Sequence, residues 1–157
     1  MGFTVNIGEK AYEVKANFRM VQDVENNLST IKDGVNNLDG ARILYMSIQN
    51  ESINALVNII QYGINRNVRP GVNEIEDFLD QKMQSEEDIE TMFSLALGCL
   101  EESGFFKQAR TQLIQQLEAE KNTQEMAEEF KKRGAKGLET ISKLSKPAVD
   151  TTLISNQ

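Results

Sequence analysis

Apolar and polar residues alternate at the start of the chain, and this pattern predicts a β-hairpin over residues 3–16. Gly8-Glu9 can supply a two-residue turn between the strands. If Ile7 pairs with Lys10, four apolar side chains share one face of the hairpin. They are Phe3, Val5, Tyr12 and Val14. Because an isolated two-stranded hairpin is only marginally stable in water, this face is expected to pack on helices or to join another sheet edge.

From residue 18 onward, apolar residues recur at helical spacing. The first stripe runs from Val21 to Ile31 and ends at Gly34, and the Asn-rich residues 33–40 are predicted to form a loop. The other predicted helical segments are residues 41–64, with an interruption before the candidate N-cap Ser52, and then 72–83, 86–102 and 105–132. The segment 86–102 has the broadest apolar stripe, so it is predicted to be the central core helix.

These elements predict an α+β fold that is predominantly α-helical, with the N-terminal β-hairpin packed on a bundle of about five helices. A chain of 157 residues is long enough to bury one core without disulfides or metal. We therefore expect a single domain over residues 1–132. Residues 133–157 contain two glycines, Pro147 and scattered Ser, Thr and Lys, which is typical of a flexible C-terminal tail.

The charge of the chain is concentrated in one place, residues 74–102, which we call the acidic stretch. It contains ten Asp and Glu residues and a single base, Lys82, within a chain of net charge −7. A field of that sign repels nucleic acid and anionic lipid and attracts basic protein surfaces. The acidic stretch therefore favours a protein that binds protein.

The residue types that most enzymes and metal sites use are scarce in this chain. It has no histidine, and Cys99 is its only cysteine. These facts exclude imidazole bases, Ser-His and Cys-His catalytic pairs and internal disulfides. No run matches a calcium loop or a phosphate-binding glycine loop. We expect no enzymatic activity, no cofactor and no metal, and we expect Cys99 to be a small buried hydrophobic residue.

Neither nucleic acid nor membrane is an expected partner. The modest basic cluster near the C-terminus is interspersed with acidic residues, so a solubilising tail is favoured over a nucleic-acid arm. Its members are Lys131, Lys132, Arg133, Lys136, Lys143 and Lys146. No segment approaches the ~18 apolar residues that span a bilayer, and the N-terminus lacks a secretion-signal pattern. The expected location is the cytoplasm.

Aromatic residues bracket the acidic stretch and are candidate anchors for a protein partner. Core packing is favoured for Phe93, whereas for Phe78 core packing and partner contact are evenly balanced. A groove with an acidic rim and an aromatic centre would suit an amphipathic basic helix. The expected partner-binding residues are Glu74, Asp77, Phe78, Glu86, Glu87, Glu101, Glu102, Phe105 and Phe106.

Three segments of the sequence resemble the tail assembly chaperones of long-tailed bacteriophages and prophages of Gram-positive hosts. They are the opening FTVNIGEKAYEVKANF, the block ALVNIIQYGINRNVRPGVNEIEDFLDQ, and the block DIETMFSLALGCLEESGFFKQ. Together they span residues 3 to 108, and none of them is a catalytic signature.

The resemblance implies a small acidic protein of the host bacterial cytoplasm that is not retained in the mature virion. Such a protein binds and solubilises the long helical tape measure protein and helps recruit tail tube subunits. In such families a longer product commonly arises by programmed ribosomal frameshift. Lys131-Lys132 could be encoded by a slippery run of adenines, although 25 residues after Lys132 are many for a slip site there.

A second function stays open at this point. A small α-helical adaptor, or a transcriptional or signalling regulator that binds one protein partner, would have the same acidic, helical composition without a catalytic set. Tape measure and tail tube genes beside this one would favour the tail chaperone, whereas a regulatory operon would favour the adaptor. Self-association is compatible with both functions.

Overall fold

The computed structural model describes residues 2–120 and 123–145 of the chain. Within these residues there are two short hairpins and seven helices. The strands are β1 (Phe3–Ile7), β2 (Lys10–Val14), β3 (Ile31–Lys32) and β4 (Val35–Asn36). The helices are α1 (Phe18–Asn27), α2 (Gly40–Gln49), α3 (Ile53–Gly63), α4 (Val72–Lys82), α5 (Glu86–Glu102), α6 (Gly104–Ala119) and α7 (Gln124–Ser145). The predicted class, predominantly helical with an N-terminal hairpin, is confirmed.

The N-terminal hairpin has the predicted register. Phe3 lies opposite Val14, Val5 opposite Tyr12 and Ile7 opposite Lys10. Gly8 takes a positive φ of 64° in the turn, a conformation that glycine adopts without a steric penalty. The inner face of the hairpin packs on the helices, because β2 contacts α3 and β1 contacts α4. The two-stranded sheet is therefore part of the core and not an appendage.

The first helix ends earlier than its apolar stripe predicts. α1 stops at Asn27, and Ile31 lies in β3 with 70% of its surface exposed. Asp39 accepts hydrogen bonds from the backbone N–H and the hydroxyl of Thr30, each at 2.8 Å. Side-chain bonds of this kind offer the backbone an alternative to further helical turns. The predicted loop 33–40 accordingly contains strand β4, which pairs with β3 across a turn at Gly34.

The core is assembled around α5, as predicted for that segment. α5 contacts α2, α3, α6 and α7. Its N-cap is Ser85, whose side chain accepts a hydrogen bond from the Asp88 N–H at 3.1 Å, and this is half of a capping box. Asp88 itself accepts from the Gln84 N–H at 3.2 Å, so the reciprocal bond reaches one residue further back.

The C-terminal part of the structure differs from the prediction. The predicted helix 105–132 is two helices, α6 and α7, and α7 continues to Ser145. Residues 133–145 are therefore not part of a flexible tail, because Ile141 is buried in the core with Phe130. Residues 146–157 of the expected tail lie outside the described residues.

α7 packs closely on α5 because glycines face each other at the crossing. A Cβ atom added at Gly98 would lie 2.2 Å from the carbonyl oxygen of Gly137 and 2.4 Å from Ile141 Cγ1. Beside this contact, the hydroxyls of Ser94 and Thr140 are hydrogen-bonded at 2.7 Å. The small residues allow the two backbones to approach, and this approach fixes the position of α7.

Gly98→Ala is expected to destabilise the protein by about 1–3 kcal/mol, since the new methyl group would have to push the α7 backbone away. The matched control is Gly104→Ala at the start of α6, where nothing lies within 4 Å of the added Cβ. That variant should keep the wild-type stability or exceed it slightly. Urea unfolding of both variants measures the difference, and equal stability would contradict the described packing.

Candidate partner surfaces

The acidic stretch lies mainly on α4 and α5, and several of its members act on the ends of these helices. The Glu74 carboxylate accepts a hydrogen bond from the Gly71 N–H at 3.1 Å and so caps α4. Glu86 and Glu87 lie in the first turn of α5, where negative charge is favourable against the helix dipole. Asp77 and Glu102 are exposed, as are Glu86 and Glu87. All remain predicted partner residues.

Glu101 was expected to contact a partner, and the structure shows that this expectation is wrong. Its side chain is only 5% exposed and accepts a hydrogen bond from the Tyr45 hydroxyl at 2.5 Å. Arg110 forms an ion pair with it at 2.9 Å. Burial, followed by the nearby Glu101 carboxylate, raises the pKa of Tyr45 above its ordinary value. Glu101 therefore holds α2, α5 and α6 together inside the protein.

The same network reaches α7 through Gln49, which is fully buried at the end of α2. The Gln49 amide nitrogen donates to the Tyr45 hydroxyl at 3.1 Å and to the Phe130 carbonyl at 2.8 Å. Arg133 donates to the Gln49 carbonyl at 2.5 Å. Hydrogen bonds therefore connect the end of α2 to both α5 and α7. These bonds form only when the three helices keep their positions relative to one another.

Of the expected aromatic anchors, one is wrong and one is only partly accessible. Phe106 is fully buried, so it cannot serve as an anchor for a partner. Phe78 is half-buried and packs against the core from α4. Phe105 has 53% of its surface exposed. Adjacent residues on a helix are about 100° apart around its axis, and here Phe105 faces solvent whereas Phe106 faces the core.

Phe105 belongs to an exposed apolar surface that the sequence did not indicate. Its ring lies 6.0 Å from the ring of Phe18 on α1, measured between centroids. Val21 and Leu38 line the adjacent cavity of about 350 Å³ together with Phe105. Phe18 is 57% exposed and Leu38 is 68% exposed. We call Phe18, Val21, Leu38 and Phe105 the aromatic surface.

The aromatic surface and the acidic stretch are separate features. The cavity beside Phe105 is lined by residues of α1, α2, α6 and the segment 37–39, and none of its lining residues belongs to the stretch 74–102. α4, which carries Phe78, packs instead on α3 and β1. The predicted groove with an aromatic centre inside an acidic rim is therefore not formed by Phe105 and Phe78 together.

Three of the five described residues of the basic cluster near the C-terminus, Lys131, Arg133 and Lys143, form ion pairs with acidic residues of α6 or α7. Lys131 pairs with Glu118 at 3.1 Å, and Lys143 pairs with Glu139 at 3.5 Å. These pairs are exposed and contribute little stability, but they offset the positive charge that a nucleic-acid arm would need. Lys146 lies outside the described residues.

Residues with potential reactivity are few in the described part of the chain. Cys99 is buried on α5, and burial raises the pKa of its thiol to about 12, so it is not a thiolate at neutral pH. Residues 2–120 and 123–145 contain no group of three or more Asp, Glu, Cys or His side chains that could hold a metal ion. Over the same residues, no helix is long and apolar enough to cross a membrane.

Comparison with known proteins identifies the family to which this chain belongs. Residues 4–116 match the phage tail assembly chaperone protein family, TAC. The match extends from β1 into α6 and covers more than half of the 157 residues, so the chain belongs to this family. No curated protein sequence and no solved structure matches the chain.

Membership of this family favours phage tail assembly over the adaptor or regulator function. The family is described as one of phage tail assembly chaperones, so partners are expected among phage tail proteins. α7 lies after the matched residues in the chain, and it packs on α5 within the same core. The resemblance of the three segments within residues 3–108 is thereby confirmed at the level of the family.

Proposed function

We propose that this chaperone binds and solubilises the tape measure protein during tail assembly and helps recruit tail tube subunits. The observation that carries the proposal is the aromatic surface on a member of a tail assembly chaperone family. Phe18 and Phe105 are exposed and contact each other beside the cavity that Phe105 lines. Exposed apolar patches of this kind are typical of protein-binding surfaces. The work takes place in the host bacterial cytoplasm, and the chaperone is absent from the mature virion.

An amphipathic helix is the kind of segment that this surface can receive. Such a helix presents apolar residues three and four positions apart, and these can contact Phe18, Leu38 and Phe105 in succession. The polar Gln108 and Gln112 side chains line the same cavity and can bond to the polar edge of the helix. A tape measure protein offers many helical segments of this kind, and each would be shielded while it is bound.

The exposed acids of α4 and α5 have a second part in this proposal. Asp77, Glu86 and Glu87 lie outside the aromatic surface, so they do not supply the apolar contact area. Charges of this kind act over a distance of about 10 Å at moderate salt and mainly increase the rate of association. They would draw basic parts of a tail protein towards the chaperone.

Recruitment of tail tube subunits is assigned to a longer, frameshifted product. A slip at Lys131-Lys132 would replace every following residue, including Gly137 and Ile141, which pack on α5. The longer product would then lose part of its own core. This packing supports a slip site beyond Ser145, and sequencing of the gene across its stop codon tests the position.

Co-expression with the tape measure protein of the same phage tests the main proposal. We expect most of the tape measure protein to be insoluble when it is expressed alone and to become soluble, in a complex, when the chaperone is present. Size-exclusion chromatography then shows whether the two proteins elute together. If the tape measure protein stays insoluble beside a well-folded chaperone, the proposed function is wrong.

A further inference from the structure

A basic cavity of about 480 Å³ lies where β2, α1 and the end of α3 meet. Four basic and two acidic side chains line it, although the chain as a whole has a net charge of −7. The basic residues are Lys15, Arg19, Arg66 and Arg69, and the acidic residues are Glu13 and Asp23. The local excess of positive charge is opposite in sign to that of the whole protein.

Two of the arginines are held in fixed positions by one carboxylate. Asp23 is 14% exposed and forms ion pairs with Arg66 at 2.9 Å and with Arg69 at 3.0 Å. Burial favours the neutral acid, but the hydrogen bonds and charges of the two arginines outweigh it, so the pKa of Asp23 is lowered. Arg69 also lies over the Tyr62 ring, 5.5 Å from its centroid. The guanidinium groups are thus ordered before any ligand arrives.

Some acceptors of the cavity are already used by its basic groups, since Lys15 pairs with Glu13 at 2.8 Å and Arg69 donates to the Ile64 carbonyl at 3.3 Å. Each guanidinium carries five N–H groups, whereas Asp23 has two oxygens, which accept three hydrogen bonds from Arg66 and Arg69. The Arg69 Nε is buried and has no acceptor among the described residues. Arg19 is exposed and has no ion pair in the described part of the chain. The unmet donors therefore favour an additional anion.

We propose that the basic cavity binds a carboxylate side chain of the protein segment that lies on the aromatic surface. Phe18 connects the two sites, because it lines the basic cavity and also contacts Phe105. The partner segment would then carry an Asp or Glu beside its apolar anchors. The inference depends on the proposed function for the position of that segment, but the cavity can be tested alone.

A carboxylate fits this cavity better than the phosphates of a nucleic acid. Glu13 and Asp23 are part of the lining and would repel a chain of closely spaced phosphates. The net charge of −7 adds repulsion at longer range. A single carboxylate, in contrast, can form a bidentate pair with one guanidinium and needs no wider positive field.

Nuclear magnetic resonance of the full chain labelled with nitrogen-15 tests the cavity with two short peptides. The probes are acetyl-Phe-Leu-Glu-Glu-amide and its Gln-Gln counterpart, and inorganic phosphate is a third ligand. The Nε–H signals of Arg66 and Arg69 are expected to shift with the Glu peptide, with an apparent Kd at least tenfold below those of the other two ligands. Equal binding of the Gln peptide or of phosphate would overturn the carboxylate assignment.

Arg19→Glu and Lys32→Glu form a matched pair for the same titration, since both make an equal charge change at an exposed residue. Arg19 lines the cavity and Lys32, on β3, does not. Arg19→Glu should weaken Glu-peptide binding at least fivefold, and Lys32→Glu should change it less than twofold. Equal weakening would overturn the site. If the chaperone solubilises the tape measure protein but does not bind the Glu peptide, only this inference is refuted. If it binds the Glu peptide but does not solubilise the tape measure protein, only the proposed function is refuted.

Discussion

Deletion of residues 1–16 is expected to abolish cooperative folding. The hairpin contributes Val5, Ile7 and Val14 to the core, and full burial of such a side chain stabilises by about 1.5–3 kcal/mol. Their summed loss is comparable with the ~5–15 kcal/mol by which an ordinary domain is stable. The deletion also exposes parts of α3 and α4 that now face the strands. Thermal unfolding followed by circular dichroism measures the effect.

The control for the deletion changes the same strand without touching the core. Thr4→Ala and Asn6→Ala alter exposed side chains on the outer face of β1. Surface changes of this kind stay within about 0.5 kcal/mol of wild type. If the chain without residues 1–16 melted cooperatively at the wild-type temperature, the hairpin would not belong to the core.

Glu101→Ala is expected to cost about 2–4 kcal/mol, because it leaves the buried Tyr45 hydroxyl and the Arg110 guanidinium without their acceptor. The loss stays below that of a fully buried pair since Arg110 is 32% exposed and can be hydrated. Urea unfolding of the variant beside wild type gives the difference in free energy directly.

The neighbouring residue supplies a matched control for this change. Glu102 has the same chemistry and also lies at the end of α5, but its side chain is exposed. Glu102→Ala should remain within about 0.5 kcal/mol of wild type. Equal losses for the two variants would mean that the end of the helix, and not the network with Tyr45, determines the effect.

The elements with a clear period and clear ends could be predicted from the sequence. The β1–β2 register follows from alternation around Gly8-Glu9, and α4 and α5 follow from their apolar stripes. α7 was missed beyond residue 132 because its contact face includes Gly134 and Gly137. Small residues allow close packing, yet they give no apolar signal in a sequence.

The candidate surfaces could be predicted only in part, because they depend on contacts between distant residues. Phe18 and Phe105 are 87 positions apart, and their pairing comes from the packing of α1 beside α6. Asp23 meets Arg66 and Arg69 across 43 and 46 positions. Charge counting along the chain found the acidic stretch, but it could not show that Glu101 is an internal ion-pair partner.

The central claim is that the aromatic surface receives the tape measure protein, and a comparison of double variants tests it most directly. Phe18→Ala with Phe105→Ala removes two exposed rings of the surface. Ile53→Ala with Val68→Ala removes two exposed apolar side chains elsewhere, so general surface hydrophobicity is matched. Glu86→Lys with Glu87→Lys reverses charge in the acidic stretch.

The measurement is the soluble yield of the tape measure protein on co-expression with each variant, after each variant has been shown to melt like wild type. We expect the Phe18 and Phe105 double variant to lower the yield at least fivefold. The charge reversal should lower it less, and the Ile53 and Val68 control should leave it unchanged. A wild-type yield with the Phe18 and Phe105 double variant would contradict the account.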